Sequence, residues 1–280
     1  MSTDWLDELQ LDPAAPAPAM ATRALGAREW LVADNNAEAE MALKRRLSGG
    51  VRHAVFGQLD GAGYEAIGHD AAGVLDLVLA QTGVPEALRP VPDRAPPLEA
   101  AGLSTQEDLC MLARRPDGWY LAAASLHFPS RWRLADKLGK HISAVHQPVP
   151  GYATRLAKRV DSLLDALDER PVWRRNWFIH ELDELHQPTP PPPLVVPAEA
   201  CGTALTVRSE RQTLRGVGRS VLFTIKVQRT SLGEFVQSPD RREALARFVS
   251  QADATRLRRH GVGAQQAEQL RIWLSEGSAR

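Results

Sequence analysis

The chain has 280 residues, 44% hydrophobic and 24% charged, a composition typical of a globular protein that buries a sizeable core. Lysine plus arginine and aspartate plus glutamate balance at 34 each, so no overall basic field exists to attract nucleic acid or an anionic membrane. The sequence contains no apolar run of about 18 residues, and its acidic start does not resemble a secretory signal, so neither a membrane span nor export is predicted.

Cysteine usage points to the compartment. Cys110 and Cys201 are far apart in sequence, which favours a reducing, cytoplasmic location. They are too few to ligate an iron–sulfur cluster within the chain. A disulfide between them is an alternative that the sequence leaves open.

The N-terminal part divides into an arm and the start of a domain. Residues 1–28 are rich in alanine and proline and are predicted to be an extended N-terminal arm, with a single domain over residues 29–280. The asparagines at 35–36 are candidate caps of a first helix, which the glycines at 49–50 are predicted to end. The apolar run 51–56 is predicted to be a strand.

A second helix and a hairpin follow. Asp70 is the predicted cap of the helix, and Gly83 its end. The proline-rich segment 83–103 is either a linker or a long ordered loop. Residues 108–113 and 119–128 flank a turn of the composition Arg-Arg-Pro-Asp-Gly, which predicts a β-hairpin.

The middle of the chain alternates helices with a strand. Leu134, Leu138 and His141 fall on one face of a predicted short helix. Apolar residues between 156 and 167 predict a longer amphipathic helix, and 173–180 reads as a strand. The proline run 188–197 predicts a semi-rigid surface spacer, with docking of a partner as the alternative.

The last strands form the clearest hairpin. Residues 203–214 and 220–228 flank a glycine-containing turn. Ser238 and Pro239 then open a helix, and a final helix carries Leu270, Trp273 and Leu274. Antiparallel hairpins beside separate helices predict an α+β fold, an antiparallel sheet with flanking helices, and not a wound parallel sheet.

One predicted strand of this hairpin is polar on both faces. Because side chains alternate along a strand, Arg208, Glu210 and Gln212 share one face. The other face carries Ser209, Arg211 and Thr213. Such a strand is either a wet edge or part of a lined cavity.

Three histidines lie in the stretch 119–152. His146 is followed by Pro148 and Pro150, which stiffen the chain, and an imidazole held in this way suits iron ligation. The alternative is a packed or surface histidine, and His127 and His141 are the competing ligands. The glycine motifs of dinucleotide-binding folds and of phosphate-binding loops are absent from the sequence.

Several blocks, in this order, resemble the haem-dependent oxidative N-demethylase family, whose haem-binding alpha subunits are related to dimethylamine monooxygenase. The resemblance extends over roughly residues 28–275, and its blocks are 107–112 (EDLCML), 128–132 (FPSRW), 137–139 (KLG), 145–152 (VHQPVPGY), 175–177 (RNW) and 208–214 (RSERQTL).

The resemblance implies a PAS-like core that holds one haem b. It implies that dioxygen is used to remove a methyl group from a small secondary amine, with release of formaldehyde. Electrons are implied to come from NADPH through separate reductase or ferredoxin-type subunits that carry FMN and an iron–sulfur centre. The lack of cysteines and of a nucleotide-binding loop agrees with a separate reductase.

The family's functional positions map onto residues of this sequence. The resemblance implies His146 as the axial iron ligand, and Arg208 and Arg211 as partners of the haem propionates. It implies Glu210 as the catalytic-site carboxylate that binds the cationic amine. Phe128 and Trp132 are assigned to the cofactor pocket.

The sequence departs from the family's expected pattern at two places. His127 occupies a place where a small or apolar residue is expected, and the turn 215–219 lacks the Leu-Pro expected there. A non-catalytic haem- or ligand-binding PAS-like sensor is the rival hypothesis, because fold does not fix function. A scaffold that has lost haem is a third.

Overall fold

The structure is a computed structural model of the chain, and it describes residues 4–14, 22–26, 29–83, 95–145 and 157–276. Its architecture is α+β, as predicted, and is built on one seven-stranded antiparallel sheet. The described part of the N-terminal arm packs onto the C-terminal helices, because Leu6 and Leu9 are buried in their apolar cluster. The indole of Trp177 donates to the carbonyl oxygen of Gln10 at 3.1 Å.

The sheet has the strand order β1-β5-β6-β7-β3-β4-β2. The strands are β1 (Arg23–Ala24), β2 (Phe56–Gln58), β3 (Asp108–Arg115), β4 (Gly118–Ser125), β5 (Val172–His180), β6 (Thr206–Val217) and β7 (Ser220–Ser231). Both predicted hairpins are confirmed, as β3–β4 and β6–β7. The predicted strand 173–180 is confirmed as β5.

Ten α-helices lie within the described ranges. They are α1 (Ala37–Val55), α2 (Ile67–Thr82), α3 (Pro97–Gly102), α4 (Ile142–Val145), α5 (Ala157–Ala166), α6 (Cys201–Ala204), α7 (Leu232–Phe235), α8 (Pro239–Gln251), α9 (Ala254–Arg259) and α10 (Ala264–Glu276). The predicted amphipathic helix after residue 156 is α5, and the last two predicted helices are α8 and α10. Ser238 caps α8 by accepting from the amide of Arg241.

The predicted end of the first helix is wrong. Helix α1 runs through Gly49 and Gly50 to Val55, so the strand begins only at Phe56. The break is confined to a kink at Val51, whose φ of −134° and ψ of 40° are not helical. The helix resumes because Val55 is fully buried and its carbonyl accepts from the amide of Leu126 at 2.7 Å. Tertiary packing therefore overrides the local glycine signal.

Asp70 is not the cap of the second helix. Helix α2 begins at Ile67, and Asp70 lies buried in its first turn. The Asp70 carboxylate accepts from the hydroxyl of Ser220 at 2.6 Å and from the amide of Arg219 at 3.1 Å. The residue therefore ties α2 to the β6–β7 turn. Gly83 does end the helix, in the left-handed region at φ 62°.

The predicted helix through Leu134, Leu138 and His141 is also wrong. Only a 3₁₀ turn forms, at Leu134–Asp136, and Gly139 reverses the chain at φ 75°. His141 instead pairs with Tyr120 in an isolated bridge. The two leucines do pack into one apolar cluster, so the apolar side of the segment is as predicted although its conformation is not.

Strand β6 is an interior strand, paired with β5 on one side and β7 on the other. Residues 206–213 are all buried, so the wet-edge interpretation of its polar pattern is wrong. We call the side that carries Arg208, Glu210 and Gln212 the corner face, and the side that carries Ser209, Arg211 and Thr213 the opposite face.

Helices cover the two faces differently. On the opposite face, Ala71, Val74 and Val78 of α2 pack against apolar residues of β3 and β7. On the corner face, Leu134, Ile142 and Leu164 pack against a cluster that includes Cys110, Leu112, Ala124 and Val221, which we call the corner-face cluster. Of the helices that the structure describes, none is long and apolar enough to cross a membrane.

Candidate functional site

The chain turns sharply after β4, at the segment Phe128 to Trp132, which we call the corner. Asp108, at the start of β3, accepts from the backbone amides of His127 and Phe128, both at 2.8 Å. Arg208 on β6 donates to the carbonyl oxygen of Phe128 at 2.8 Å. The corner is therefore fixed from two strands, through its amides and its carbonyls.

The guanidinium of Arg208 is saturated by protein oxygens. Its side chain is almost fully buried, and besides the corner it donates to the carbonyls of Glu184 at 3.1 Å and Leu185 at 3.0 Å. Burial lowers the pKa of Arg208 to about 10, although nearby Glu210 acts in the opposite direction, so the group is charged at neutral pH. Its assignment to a haem propionate stays a prediction, because a propionate has to displace these partners.

Ser130 joins Arg208 to Glu210. Its hydroxyl accepts from Arg208 Nε at 2.9 Å and donates to Glu210 Oε1 at 2.5 Å. The other carboxylate oxygen of Glu210 accepts from the amide of Gln212 at 2.8 Å. Glu210 is 8% exposed, and no basic nitrogen of the described residues lies within 4.0 Å of it. A nearly buried carboxylate held only by neutral donors is a site that a cation can complete.

Arg211 is on the opposite face, with the sheet between it and Glu210. Its guanidinium donates to the carbonyl oxygens of Trp30 at 3.0 Å and Glu29 at 2.5 Å. It therefore fastens the segment before α1 to the sheet. Its assignment to a propionate also stays a prediction, and the structure does not bring it together with Glu210.

The corner face is partly open over the interior strands. Phe223 on β7 is half-buried, whereas its neighbours Leu222 and Thr224 on the opposite face are buried. Leu214, paired with Phe223, is half-buried as well. Trp132 from the corner packs against the same corner-face cluster. These side chains form an apolar floor on the corner face, and the row of Gln212 and Ile225 separates it from the row of Glu210 and Val227.

Lys137 stands above this floor. Its Nζ lies 4.5 Å from the centroid of the Trp132 ring, which is within the range of a cation–π contact. Burial lowers the pKa of Lys137, and the neighbouring Cys110, Glu210 and Asp136 act in the opposite direction. In the sequence, Lys137 stands out only as a member of the Lys-Leu-Gly block.

Phe128 lies under the corner and not on the open floor. It is 2% exposed and packs with Leu185, Ile225 and Val227. Lys44 Nζ lies 5.4 Å from its ring centroid and 3.6 Å from Asp108. Phe128 therefore fills the base of the corner, and Trp132 is the corner aromatic nearest to the half-open surface.

The candidate iron ligand His146 and the proline-rich exit that follows it lie outside the described residues. The last described residue before it, Val145, packs on the corner-face cluster. The assignment of His146 stays a prediction.

His127, the first rival ligand, is fully buried. Its Nε2 is 2.9 Å from the hydroxyl of Ser48 on α1. Burial lowers the pKa of His127 to about 2, with Lys44 acting in the same direction, so the imidazole is neutral. The contact with Ser48 and the burial of the ring both hold His127 on the α1 side of the corner.

His141, the second rival, lies at the β3–β4 turn. Its Nδ1 is 2.7 Å from the hydroxyl of Ser143, and its ring meets Tyr120 edge-on at 5.2 Å. The strand register puts this turn about nine residues along the sheet from Glu210, which corresponds to roughly 20–30 Å. His141 and Glu210 therefore do not share a site.

A cavity lies at the same turn end of the sheet. It has a volume of about 580 Å³ and is lined by residues that include Tyr64, Arg115, Trp119, Asp165 and Arg219. None of the site residues predicted from sequence lines it. The cavity is therefore separate from Glu210 and from the apolar floor.

A family model described as haem-dependent oxidative N-demethylase, alpha subunit-like, matches residues 69–262, which is more than half of the chain. The chain belongs to this family. The matched range contains the corner, Lys137, the Glu210 strand and the β6–β7 hairpin, so the site described above lies within the family's shared part. No curated protein matches the sequence significantly.

The two cysteines are free and buried in this family member. The disulfide that the sequence left open is therefore not formed. Cys110 lies on the corner face beneath Lys137, and burial raises the pKa of its thiol. Cys201 lies near Gln266, in the cluster of C-terminal helices.

Proposed function

We propose that this chain is the haem-binding subunit of a dioxygen-dependent N-demethylase that acts on a small secondary amine and releases formaldehyde. Family membership supports the haem-dependent class of the reaction. The observation that carries the substrate class is Glu210, a nearly buried carboxylate whose hydrogen-bond donors among the described residues, Ser130 and Gln212, are neutral. A protonated amine supplies the direct ion pair that this carboxylate lacks among the described residues.

The described residues fit a haem group in their chemistry. The half-buried Trp132, Leu214 and Phe223 offer the apolar surface that a porphyrin plane needs, and Lys137 offers a cation at its margin. When bound, the haem supplies activation of dioxygen for oxidation of the substrate methyl group. We propose His146 as its axial ligand.

The protein's own residues bind and orient the substrate. Glu210 pairs with the ammonium and so fixes the nitrogen, and with it the methyl groups, at a set position. Ser130 and Gln212 hold the carboxylate in one orientation from opposite sides. The corner covers this row and excludes water from it, which strengthens the pairing of carboxylate and ammonium.

In the overall reaction, the amine, one dioxygen, two electrons and two protons give the shortened amine, formaldehyde and water. We propose that the electrons reach the haem from NADPH through separate FMN and iron–sulfur subunits of reductase or ferredoxin type. The alpha-subunit-like family supports such partners. Two free thiols support a reducing, cytoplasmic setting.

We further propose that β3 to β7 form a PAS-like core. In the order β4-β3-β7-β6-β5, the first strand in the chain, β3, lies between the second, β4, and the last, β7. The other two strands, β6 and then β5, continue the sheet beyond β7. The described parts of the segment between β4 and β5 pack on the corner face through Leu134, Ile142 and Leu164. This arrangement supports a core in which the cofactor lies between that segment and the sheet.

The test uses the purified full-length protein with added haem. A Soret band followed by formaldehyde release from dimethylamine, with NADPH and a surrogate reductase, is the expected result. The absence of any Soret band overturns the haem assignment. A haem-loaded protein that accepts electrons but forms no formaldehyde supports the non-catalytic sensor instead.

A further inference from the structure

Lys137 is a half-buried cation on the corner face. In the part of the chain that the structure describes, no carboxylate oxygen lies within 4.0 Å of its Nζ, and its contact is with the face of Trp132. A cation that is partly removed from water without a direct ion pair is costly, and Glu210 and Asp136 act on Lys137 only from beyond that distance. The position of Lys137 therefore requires an explanation.

The loop that carries Lys137 is held in place by packing and by backbone hydrogen bonds. Leu134 is 2% exposed in the corner-face cluster and accepts from the amide of Lys137 at 2.9 Å. Gly139 donates to the carbonyl oxygen of Leu121 on β4 at 2.8 Å. Lys137 is therefore fixed over the sheet by contacts on both sides of it in the chain.

The other cations of the corner face are already engaged. Arg208 donates to five protein oxygens. Arg131 pairs with Glu181, Arg174 donates to Gln212, and Arg229 pairs with Asp183. Lys137 is the one described cation beside the apolar floor that retains its hydrogen-bonding capacity.

We propose that Lys137 binds a carboxylate of the haem, as the cationic partner of a propionate group at the margin of the apolar floor. This rests on the proposed function. A haem joins a flat apolar plane to two carboxylates, and the floor with Trp132 and Lys137 offers both kinds of contact in one place. Arg208 and Arg211 then act by holding the corner and the segment before α1.

The experiment is a haem titration followed at the Soret band. It compares wild type with Lys137→Met, which keeps the length of the stem, and Lys137→Arg, which keeps the charge. Lys140→Met is the control, because Lys140 is exposed in the same loop. Losing a charged hydrogen bond is expected to weaken haem binding by about ten- to a hundredfold in Lys137→Met. Lys137→Arg should remain within a few-fold of wild type, and Lys140→Met should equal it.

A haem whose carboxylates are esterified distinguishes loss of a carboxylate contact from a general effect of the substitution on the fold. With the dimethyl ester of the haem, whose propionates are uncharged, the difference between wild type and Lys137→Met should disappear. The midpoint potential of the haem should also fall in Lys137→Met, because removal of a nearby cation favours the ferric state.

The outcomes are distinct. Equal affinity of wild type and Lys137→Met for haem overturns the assignment of Lys137 and leaves the proposed function standing. A difference that persists with the dimethyl ester overturns it as well, because it then arises from packing on Trp132. If the wild-type protein gives no Soret band with added haem, the proposed function itself is overturned.

Discussion

Arg208 and Glu210 are two residues apart on one face of β6, and the hydroxyl of Ser130 joins them, accepting at 2.9 Å from the first and donating at 2.5 Å to the second. The serine belongs to the corner, so the same contact fixes the corner, the arginine and the carboxylate. Orientation of Glu210 therefore depends on a residue 80 positions away in sequence.

Ser130→Ala tests this relay in the absence of cofactor. It leaves the Nε of Arg208 without its acceptor and removes one donor from Glu210, so the free energy of unfolding should fall by about 1–2 kcal/mol. Urea denaturation measures it. Ser275→Ala, at an exposed hydroxyl of α10, should stay within about 0.5 kcal/mol of wild type. Equal losses in the two variants contradict the relay.

The buried pair of Lys44 and Asp108 anchors the corner from below. Both side chains are fully buried 3.6 Å apart, and Lys44 also donates to three backbone carbonyls. Asp108→Asn should lower the free energy of unfolding by about 3 kcal/mol or more, because it leaves the buried lysine charge without its ion-pair partner.

The matched control for Asp108→Asn is an exposed pair. Glu243→Gln breaks the ion pair with Arg247 on α8, whose side chains are 68% and 56% exposed, and should cost less than about 1 kcal/mol. Chemical denaturation of both variants gives the comparison. A loss at Asp108 no greater than that at Glu243 is incompatible with a buried charged anchor.

Gly218 is required by the β6–β7 turn. Its φ is 58°, and a Cβ added there comes 2.1 Å from the Asp70 carboxylate. Gly218→Ala should therefore destabilise the protein by more than about 1 kcal/mol. Gly68→Ala, in helix α2 with no atom within 4 Å of the new Cβ, should instead stabilise it by about 0.5–1 kcal/mol. Thermal melts of the two variants should shift in opposite directions.

Acid sensitivity should arise in part from His260. Burial lowers its pKa to about 4, and its ring stacks on Trp177 with centroids 4.0 Å apart. In the unfolded chain the pKa of histidine is about 6.5, so the unfolded state takes up a proton first as the pH falls. The contribution is complete above about pH 6.5 and is lost at about 1.4 kcal/mol per pH unit down to about pH 4.

His260→Asn should remove that slope. The measurement is the free energy of unfolding at several pH values between about 4.5 and 6.5, where the wild-type slope should exceed that of the variant by about 1.4 kcal/mol per unit. His53→Asn, at an exposed position of α1, is the control and should keep the wild-type slope. Identical slopes in wild type and His260→Asn contradict a buried neutral imidazole.

Much of the sheet could be predicted from local pattern. Strand β7 alternates apolar residues with a period of two, and both hairpin turns carry turn-forming residues, so hairpins and fold class followed from sequence. The helix ends did not. Gly49 and Gly50 carry a stop signal, but burial of Val55 extends α1 beyond them.

The site was predicted only in part. Alternation along β6 correctly puts Arg208 and Glu210 on one face and Arg211 on the other. That β6 lies inside the sheet depends on its pairing with β5, which no local pattern encodes. Ser130 and Lys137 belong to the blocks 128–132 and 137–139, but their roles could not be read from them. Those roles, like that of Lys44, arise from partners distant in sequence or from burial.

The most direct test of the account is the affinity of the haem-loaded protein for dimethylammonium, measured by calorimetry in wild type and in Glu210→Gln. The exposed Glu184→Gln is the control for loss of a carboxylate. Glu210→Gln should bind the amine at least about tenfold more weakly, because the glutamine cannot neutralise the ammonium, and Glu184→Gln should bind like wild type. Equal affinity in wild type and Glu210→Gln contradicts the central claim that Glu210 is the amine-binding carboxylate.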